Sequence, residues 1–246
     1  SGSIMYVLGL LLSKSRLIRN RVGRSIMWQG AEKGGRLLDF GCGNGEFLVS
    51  MKNLGWQVCG IEPDKNAAKV GREKYGLDIQ ESVFEDLNLP ENTYDVVTLS
   101  HVIEHLHDPL RTLEIIYRSI KSGGRIVLAT PNTESLGHKF FKMNWRGLET
   151  PRHLFIFSAK NIESLLTKAG FDVQIIYTYE GSAGSIYARS MAIKHRHKFA
   201  GENPNDAHGK HYKVSSKLFS AIEYVLCGWP FYKKMGEELI AIAVKK

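Results

Sequence analysis

Short apolar runs alternate along the chain with longer stretches in which apolar positions recur at helical spacing. Apolar runs of strand length, bounded by Gly, Pro, Asn or Asp, are typical of buried strands. Strands that alternate with helices predict a parallel sheet with helices on both faces. The pattern therefore predicts an α/β protein with a doubly wound sheet. The predicted strands cover residues 37–40, 58–62, 77–81, 94–100, 125–130, 172–179 and 240–244.

The segments between these strands predict helices and two long irregular regions. Residues 133–157 are aromatic-rich and predicted to be irregular, and the polar stretch 181–237 separates the last two strands. A proline can open a new helix, so a break is expected near Pro109. The predicted helices cover residues 4–34, 46–51, 65–75, 101–121 and 158–169.

A turn in which every second residue is glycine follows the first strand. Glycine takes positive φ readily and leaves no Cβ between the main chain and a ligand. The helix that follows directs free N–H groups and a partial positive charge at whatever lies over the turn. This arrangement indicates a nucleotide-binding site. Asp39 precedes the turn, which consists of Gly41, Cys42, Gly43, Asn44 and Gly45.

An acidic residue, Glu62, ends the second predicted strand. A carboxylate at that position can accept hydrogen bonds from both hydroxyls of a ribose. The spacing Gly-x-Gly-x-Gly after an acid differs from the Gly-x-Gly-x-x-Gly of dinucleotide sites. It resembles the first motif of the class I S-adenosylmethionine (SAM)-dependent methyltransferases. A glycine-rich structural turn in another α/β protein is the alternative.

The resemblance to this family extends from Leu37 to Lys246 and has implications for the fold. It implies a Rossmann-like, doubly wound, seven-stranded sheet of order 3-2-1-4-5-7-6 whose last strand is antiparallel. The methyltransferase domain would cover 35–246, after an N-terminal helical segment at 1–34 that acts as a lid. Residues 133–157 form a second covering element, called here the lid segment, and 181–237 is an insertion between the last two strands.

The resemblance also implies that SAM is the cofactor. Asp39 and the glycines would surround its methionine moiety, Glu62 its ribose, and Pro63-Asp64 the edge of its adenine. Many members carry an acid near the adenine amine, but Val83 occupies that place here, so adenine contacts are expected from Phe84. The complete predicted set is Asp39, Gly41, Cys42, Gly43, Asn44, Gly45, Glu62, Pro63, Asp64, Phe84, Glu85 and Ser100.

A histidine–glutamate cluster follows the fourth strand, where doubly wound sheets bind ligands. The spacing of His101, Glu104 and His105 predicts one shared helical face. It matches an inverzincin zinc motif, and it also resembles the Glu-x-x-Glu-His stretch of ubiquinone-type O-methyltransferases, which faces the acceptor and can hold a divalent cation. His101 replaces the first glutamate, and imidazole is a poorer magnesium ligand than carboxylate. No metal ligand is therefore assigned, and residues that merely brace the helix are the third alternative.

A further histidine follows the fifth strand. Residues 145–158 resemble the Pro-x-His-x-x-x-Phe-Ser segment of the same subgroup, which closes over the acceptor. Methyl transfer needs an aligned acceptor in a dry pocket, and a hydroxyl acceptor must also lose its proton to a base. His153 is the predicted base, and His101, His105 and Glu104 are the other catalytic candidates. A lid histidine bonded to backbone is the alternative for His153.

The net charge of +8 favours anionic partners. Basic residues precede an amphipathic, aromatic-tipped run, so 210–232 is predicted to contact a membrane surface. A solvated loop followed by a helix packed on the core is the alternative. Nucleic acid is disfavoured, because the residues after the fourth strand lack the Asp/Asn-Pro-Pro-Tyr pattern of base N-methyltransferases and no aromatic RNA-stacking motif is visible.

The N-terminal region and the cysteines predict a cytoplasmic protein, and the predicted contact through 210–232 would associate it with a membrane. The apolar run 4–12 is too short to span a bilayer, and its basic residues follow it, opposite to the order in a signal peptide. Three scattered cysteines suggest a reducing compartment. Residues 1–3 are interpreted as a tag remnant.

The sequence thus predicts a SAM-dependent methyltransferase for a small or lipid-linked acceptor, with methylation at oxygen of a quinone precursor, sugar or similar hydroxyl compound. A methyltransferase for RNA or protein is one alternative. A non-catalytic protein that keeps the cofactor fold is another.

Overall fold

The computed structural model describes residues 22–31, 34–84, 87–198, 218–219, 221–222, 225 and 234–246. The described strands are β1 (Arg36–Phe40), β2 (Gln57–Glu62), β3 (Asp78–Glu81), β4 (Tyr94–Ser100), β5 (Ile120–Pro131), β6 (Asp172–Tyr179) and β7 (Glu238–Val244). The described α-helices are α1 (Glu46–Asn53), α2 (Lys65–Tyr75), α3 (Pro109–Ser119), α4 (Leu136–Phe141), α5 (Ala159–Lys168) and α6 (Ala183–Lys198). Short 3-10 helices cover Ile103–His105, Lys142–Asn144 and Arg146–Leu148.

The strands form one seven-stranded sheet in the order β3-β2-β1-β4-β5-β7-β6, as predicted. Neighbours among β1 to β5 pair in parallel, whereas β7 is antiparallel to both β5 and β6. The predicted Rossmann-like α/β class is therefore confirmed. Because β7 runs the other way, it begins at the edge where the parallel strands end, with Glu238 opposite Pro131.

Alternate side chains of β1 enter two different cores, one on each face of the sheet. Leu38 and Phe40 are buried in the core that also contains apolar residues of α3 and α5. Leu37 is buried in the core formed with α1 and α2. Burial on both faces explains the near-continuous apolar sequence of this strand. The turn that starts at Gly41 therefore follows directly from a strand that is anchored on both faces.

Two strand predictions, 94–100 and 172–179, match β4 and β6 in both bounds. β5 is longer than predicted, because it starts at Ile120 and continues through Gly123-Gly124. β7 also starts before the apolar run, at Glu238. In both cases backbone pairing with a neighbouring strand extends beyond the apolar residues that predict the strand.

The predicted N-terminal helix is wrong for residues 26–31, because within its described part only 22–25 are helical. Met27 and Trp28 have φ values of 46° and 56°, which end the helix. Met27 is buried against the sheet, and the Trp28 ring stands edge-on to Tyr177 with ring centroids 5.4 Å apart. Packing on the sheet therefore overrides the local pattern. Residues 1–21 and 32–33 of this segment lie outside the described residues.

The predicted helix over 101–121 is wrong before Pro109. His101 has a φ of 57°, and only the 3-10 turn Ile103–His105 precedes α3. The Asp108 side chain caps α3 by accepting the Arg111 N–H (3.0 Å), so the helix starts there. His101, Glu104 and His105 consequently do not share one helical face.

The lid segment is more regular than predicted, since it contains α4 and two 3-10 helices. Ser135 caps α4 by accepting the His138 N–H (3.0 Å). In the insertion 181–237, α6 covers the first residues, which were predicted to be a polar stretch. Residues 218–219, 221–222 and 225 are helical, and 199–217 and 226–233 lie outside the described residues. Within the described part of the chain, no helix is both long and apolar enough to cross a membrane.

Candidate active site

The three glycines of the turn after β1 have the positive φ that the sequence predicts. Gly41, Gly43 and Gly45 have φ values of 80°, 56° and 82°. A Cβ on Gly41 would collide with Val102, and one on Gly45 would collide with Leu77, whereas one on Gly43 would meet nothing within 4 Å. The outer glycines therefore serve close packing, and the middle one leaves space for a ligand.

Glu62 is fixed beside this turn by backbone donors. The Gly43 N–H donates to Glu62 Oε2 (2.7 Å), and the Asp64 N–H donates to Oε1 (2.9 Å). The Gly41 N–H donates to Ile61 O (2.8 Å), which ties the turn to β2. Each carboxylate oxygen keeps a lone pair for a further donor. The geometry suits the predicted ribose contact, which stays a prediction.

Asp39 lies under the turn in a buried setting, with 5% of the residue exposed. Thr98 Oγ1 donates to Asp39 Oδ1 (2.6 Å). Burial raises the pKa of Asp39 to about 7, and the nearby Glu62 adds to the rise, although the Thr98 hydrogen bond opposes it. A buried carboxyl group of this kind is stabilised by a cationic ligand.

A cavity of about 300 Å³ opens beside Asp39. Arg24 Nη2 donates to Ser100 Oγ (2.9 Å) at its wall. The cavity therefore offers one cationic and one acidic side chain, which suits the carboxylate and ammonium groups of an amino acid such as the methionine moiety of SAM. Its lining residues are Arg24, Ser25, Met27, Asp39, Phe47 and Ser100.

Two of the residues predicted to contact adenine, Asp64 and Phe84, are held in place by other groups of the protein. Asp64 caps α2 by accepting the N–H groups of Asn66 (2.8 Å) and Ala67 (2.9 Å). The Phe84 ring stacks on the Phe40 ring, with centroids 4.6 Å apart and planes at 25°. These contacts hold both residues near the turn, and adenine binding by Asp64, the exposed Pro63 or Phe84 stays a prediction. Glu85 lies outside the described residues.

Two residues of the turn itself have local roles. The Asn44 side chain donates to Glu46 Oε1 (3.1 Å) and accepts the Glu46 N–H (3.3 Å), which fixes the start of α1. Cys42 is buried, and burial raises the pKa of its thiol to about 12, with Asp39 and Glu62 adding to the rise. Cys42 is therefore a neutral packing residue at physiological pH.

His101 links two acidic residues at the tip of β4. Its Nδ1 lies 3.2 Å from Glu104 Oε1, and its Nε2 lies 3.7 Å from Glu238 Oε2. Burial lowers the pKa of His101, but the nearby carboxylates of Glu104 and Glu238 outweigh it and raise the pKa to about 9. His101 is therefore an imidazolium at neutral pH, which can donate a hydrogen bond but cannot act as the base. This result argues against His101 as the deprotonating residue.

Glu238 completes a chain of charges across the site. Arg24 Nε donates to Glu238 Oε2 (2.9 Å). Burial raises the pKa of Glu238, but His101 and Arg24 outweigh it and lower the pKa to about 2. Sequence reasoning missed Arg24 and Glu238. The position of Glu238 at the start of the closing antiparallel strand could have indicated it, whereas no pattern distinguishes Arg24 from its basic neighbours.

Glu104 is fully buried next to the lid segment. Thr130 Oγ1 donates to Glu104 Oε2 (3.0 Å). The Glu104 carbonyl oxygen accepts the N–H groups of Leu154 (2.8 Å) and Phe155 (3.2 Å). These two bonds bring the end of the lid segment over the tip of β4.

His105 and His153 meet as a result, with ring centroids 4.8 Å apart. His105 Nδ1 lies 2.8 Å from Arg152 O, and His153 Nδ1 lies 2.7 Å from Gly147 O. A carbonyl oxygen only accepts, so each Nδ1 carries the proton, and in the neutral ring Nε2 keeps its lone pair. Burial lowers the pKa of His153, and His105 adds to the effect, although Gly147, Glu104 and Glu149 oppose it.

The donor atoms of Glu104, His105 and His153 all lie within 4.8 Å of one another. A metal with ligand distances of about 2.0–2.2 Å needs its ligand atoms within about 4.4 Å of each other, so a small closure would bring the three atoms into range. Two imidazoles and one carboxylate suit zinc, iron or manganese better than magnesium. Among the described residues, the group that could hold a metal ion is thus Glu104, His105 and His153, whereas His101 faces the carboxylates of Glu104 and Glu238.

A second buried glutamate anchors the lid segment. Trp145 Nε1 donates to Glu237 Oε2 (2.7 Å), and the Gly137 N–H donates to Oε1 (2.8 Å). Burial raises the pKa of Glu237 to about 7, although these hydrogen bonds oppose the rise. Two successive glutamates therefore have separate roles. Glu237, just before β7, anchors the lid segment, and Glu238, the first residue of β7, contacts Arg24 and His101.

Sequence comparison with known proteins also indicates a methyltransferase. Residues 15–175 match the sequence model of a family described as a methyltransferase domain. The ubiquinone biosynthesis O-methyltransferase of Vibrio cholerae is 33% identical over 114 residues, which make up 44% of this chain and 46% of that protein. The chain thus spans about half the length of the curated relatives it matches.

Solved structures share the fold. Phosphoethanolamine N-methyltransferase 2 of Haemonchus contortus in complex with SAM has a TM-score of 0.62 and 18% identity, over 92% of this chain and 52% of that one. A SAM-dependent methyltransferase from Archaeoglobus fulgidus has a TM-score of 0.60 and 24% identity, over 98% and 99% of the two chains. The family match covers more than half of the sequence. The chain therefore belongs to the class I methyltransferases, enzymes that use SAM as methyl donor.

Proposed function

We propose that the protein methylates a hydroxyl oxygen of a small or lipid-linked acceptor, such as a quinone precursor or a sugar, with His153 as the base. The supporting observation is the pair of imidazoles, His105 and His153, whose Nδ1 atoms both face backbone carbonyls. This arrangement leaves a basic Nε2 on each ring beside the tip of β4. The distant likeness to ubiquinone biosynthesis O-methyltransferases supports an oxygen acceptor.

The cofactor would occupy the side of the site formed by β1 and β2. Arg24 and Asp39 are proposed to bind the carboxylate and the ammonium group of the methionine moiety, since both line one cavity. Glu62 is proposed to accept from the ribose hydroxyls, and Phe84 to contact adenine. The open space above Gly43 allows the cofactor to approach the backbone.

His153 is proposed to take the acceptor proton at Nε2 while the acceptor oxygen attacks the methyl group, and S-adenosylhomocysteine leaves. A pKa lowered by burial keeps His153 neutral at physiological pH, as a base requires. Only 6% of its side chain is exposed. We therefore expect the loop that carries it, which is bonded to Glu104 through Leu154 and Phe155, to move when the acceptor enters.

His101 is proposed to donate a hydrogen bond to the acceptor through Nε2, whose distance of 3.7 Å from Glu238 Oε2 is too long for a hydrogen bond. Its side chain is 40% exposed, and its raised pKa keeps the ring protonated at neutral pH. A cationic donor beside the attacking oxygen favours the ionised form of a hydroxyl group and so assists the same proton loss.

A metal-assisted form of this reaction is the second candidate, because the donor atoms of Glu104, His105 and His153 converge. A bound cation would lower the pKa of an acceptor hydroxyl, and the two imidazoles would then act as ligands. Chelation distinguishes the two forms. If turnover is lost in excess chelator and restored by zinc, iron or manganese, the reaction is metal-assisted. Full turnover in excess chelator instead supports His153 as the base.

The deciding experiment measures S-adenosylhomocysteine formed from SAM with caffeate as a soluble catechol probe and a methyl glycoside as a sugar probe. Formation that depends on either probe supports O-methylation. Methylation of RNA or of added protein instead would support the alternative acceptor classes. Tight SAM binding without turnover on any of these substrates would indicate a non-catalytic cofactor-binding protein.

A further inference from the structure

Several large apolar side chains are exposed together on the lid side of the molecule. Single exposed apolar residues are common, but a contiguous group marks an interaction site. We call this group the apolar patch. Its members, 60%, 81%, 62%, 46% and 59% exposed, are Phe140, Met143, Leu218, Ile222 and Val225.

Ring contacts join the two parts of the chain that carry the patch. The Phe219 ring lies 4.6 Å from Tyr187 of α6 and 6.3 Å from Phe140 at the end of α4. Phe219 thus packs the described helical residues 218–219 and 221–222 against α4 and α6. The three exposed apolar residues of this stretch are spaced i, i+4, i+7, which places them on one helical face.

The elements around the patch carry positive charge. Lys139, Lys142, Arg189 and Lys194 are exposed, and there is no acidic residue in α4, in Lys142–Asn144 or among the residues of α6. Arg189 and Met143 line the same cavity, of about 440 Å³. The acid in that cavity, Glu149, is paired with Arg146 at 2.6 Å. The described surroundings of the patch are therefore basic.

From this combination we propose that the apolar patch inserts into the surface of an anionic lipid bilayer, with the surrounding lysines and arginine at the headgroup level. Apolar side chains beside Lys and Arg are the features that bind interfacial helices to anionic membranes. A second copy of the chain would bring the same positive charges against this face, and like charges disfavour such a contact.

This inference goes beyond methyl transfer and does not depend on it. The sequence predicts membrane contact for 210–232, most of which lies outside the described residues. The described surface adds α4 and the 3-10 turn Lys142–Asn144, which belong to the lid segment. Docking on the bilayer would therefore hold the lid segment against the membrane, where a lipid-linked molecule could reach it.

Flotation with vesicles tests the proposal, using the full chain at about 0.15 M salt. One vesicle contains phosphatidylcholine alone, and the other contains about one quarter phosphatidylglycerol. We expect binding at least tenfold tighter to the anionic vesicle. Met143→Ser with Val225→Ser should weaken that binding at least tenfold, because two exposed apolar side chains that would insert into the bilayer are lost. Lys139→Glu with Lys142→Glu should weaken it by a similar factor.

The matched controls make the same kinds of substitution, apolar residue to serine and lysine to glutamate, at exposed positions outside the patch. Val70→Ser with Ile175→Ser removes two exposed apolar side chains, and Lys52→Glu with Lys168→Glu makes the same change of net charge. We expect both controls to bind vesicles within twofold of the wild type. Unchanged SAM binding shows that each variant is folded.

The proposal is overturned if the wild type does not float with the anionic vesicle, or if patch and control variants behave alike. It is also overturned if Met143→Ser with Val225→Ser converts a dimer into a monomer, measured by sedimentation equilibrium, without changing vesicle binding. In that case the patch joins two copies of the chain. None of these measurements uses turnover, so their failure is distinct from failure of the proposed reaction.

Discussion

The two sides of the site are held in different ways. On the proposed cofactor side, Glu62 is fixed by two backbone N–H groups, from Gly43 and Asp64. On the acceptor side, His101 is fixed by side chains, with Glu104 on one nitrogen and Glu238 near the other. Backbone donors do not titrate, whereas a chain of ionisable side chains responds to pH and to the loss of any member. The cofactor side should therefore be the more robust.

The first way to separate the two sides is to remove the proposed base. His153→Ala should lower turnover by about 100-fold or more, since general-base catalysis contributes about 10²–10⁴-fold. SAM affinity should stay unchanged. His153→Gln should be nearly as slow, because the amide keeps a hydrogen bond but has no basicity.

A suitable control for His153 is the other partly buried histidine of the lid segment. His138 Nδ1 faces Thr133 O (2.6 Å), and its ring stacks on Trp145. His138→Gln should leave turnover within about twofold of the wild type. Normal turnover in both His153 variants would contradict the assignment and leave His105 as the better candidate.

The next largest effect is expected on the cofactor side. Glu62→Ala should weaken SAM binding by about 2 kcal/mol, or roughly 30-fold, because the ribose hydroxyls lose a charged acceptor. Calorimetry measures this change directly. Glu81, the register neighbour of Glu62 on β3, provides the control. Its exposed contact with Arg72 at 3.5 Å contributes little, so Glu81→Ala should alter affinity less than twofold. Equal effects of the two variants would refute the ribose assignment.

Adjacent glutamates allow a sharper test of the acceptor side. Glu238, with its pKa lowered to about 2, is ionised between Arg24 and His101, so Glu238→Gln should reduce the free energy of unfolding by about 1.5–3 kcal/mol at pH 6. Glu237, with its pKa raised to about 7, is largely protonated at pH 6, and Glu237→Gln should cost less than half as much. Urea denaturation at pH 6 measures the free energy of unfolding of both variants. A larger loss for Glu237→Gln would contradict this account of the charges.

The smallest expected effect is the pH dependence contributed by His101, because its side chain is 40% exposed and solvent screens its charge interactions. Its pKa is raised to about 9 in the folded protein, above the ordinary value of 6.5. A raised pKa means that the folded state binds the proton more tightly, so the contribution is fully present below pH 6.5 and is lost as pH rises through about 9. The stability difference between wild type and His101→Gln should therefore shrink from pH 6 to pH 9.5. A constant difference would mean that His101 is not an imidazolium in the folded protein.

The geometry of the glycine turn and of the strand ends beside it could be predicted well because its signals are local in sequence. Asp39, the three glycines and Glu62 lie at the ends of two neighbouring strands, and apolar runs with glycine spacing identify both strands. Positive φ at the glycines follows from the same pattern. The sheet order came from the resemblance to a family, since pairing between distant strands leaves no local pattern.

The acceptor side could be predicted only in part, because it is assembled from distant segments. Helical spacing failed for His101, whose positive φ places it outside any helix. The meeting of His105 and His153 depends on backbone bonds from Leu154 and Phe155 to Glu104. Such long-range contacts follow from tertiary packing, and periodicity carries no information about them.

The pairing of β6 with β7 has a consequence for how the enzyme can diversify. Tyr179, at the end of β6, lies opposite Glu238, at the start of β7. Residues 181–237 therefore leave and re-enter the sheet at adjacent points. The entropic cost of closing a loop rises only slowly with its length. Apart from Glu237, which anchors the lid segment, this segment can accordingly lengthen, shorten or be exchanged during evolution while the sheet and the glycine turn stay intact.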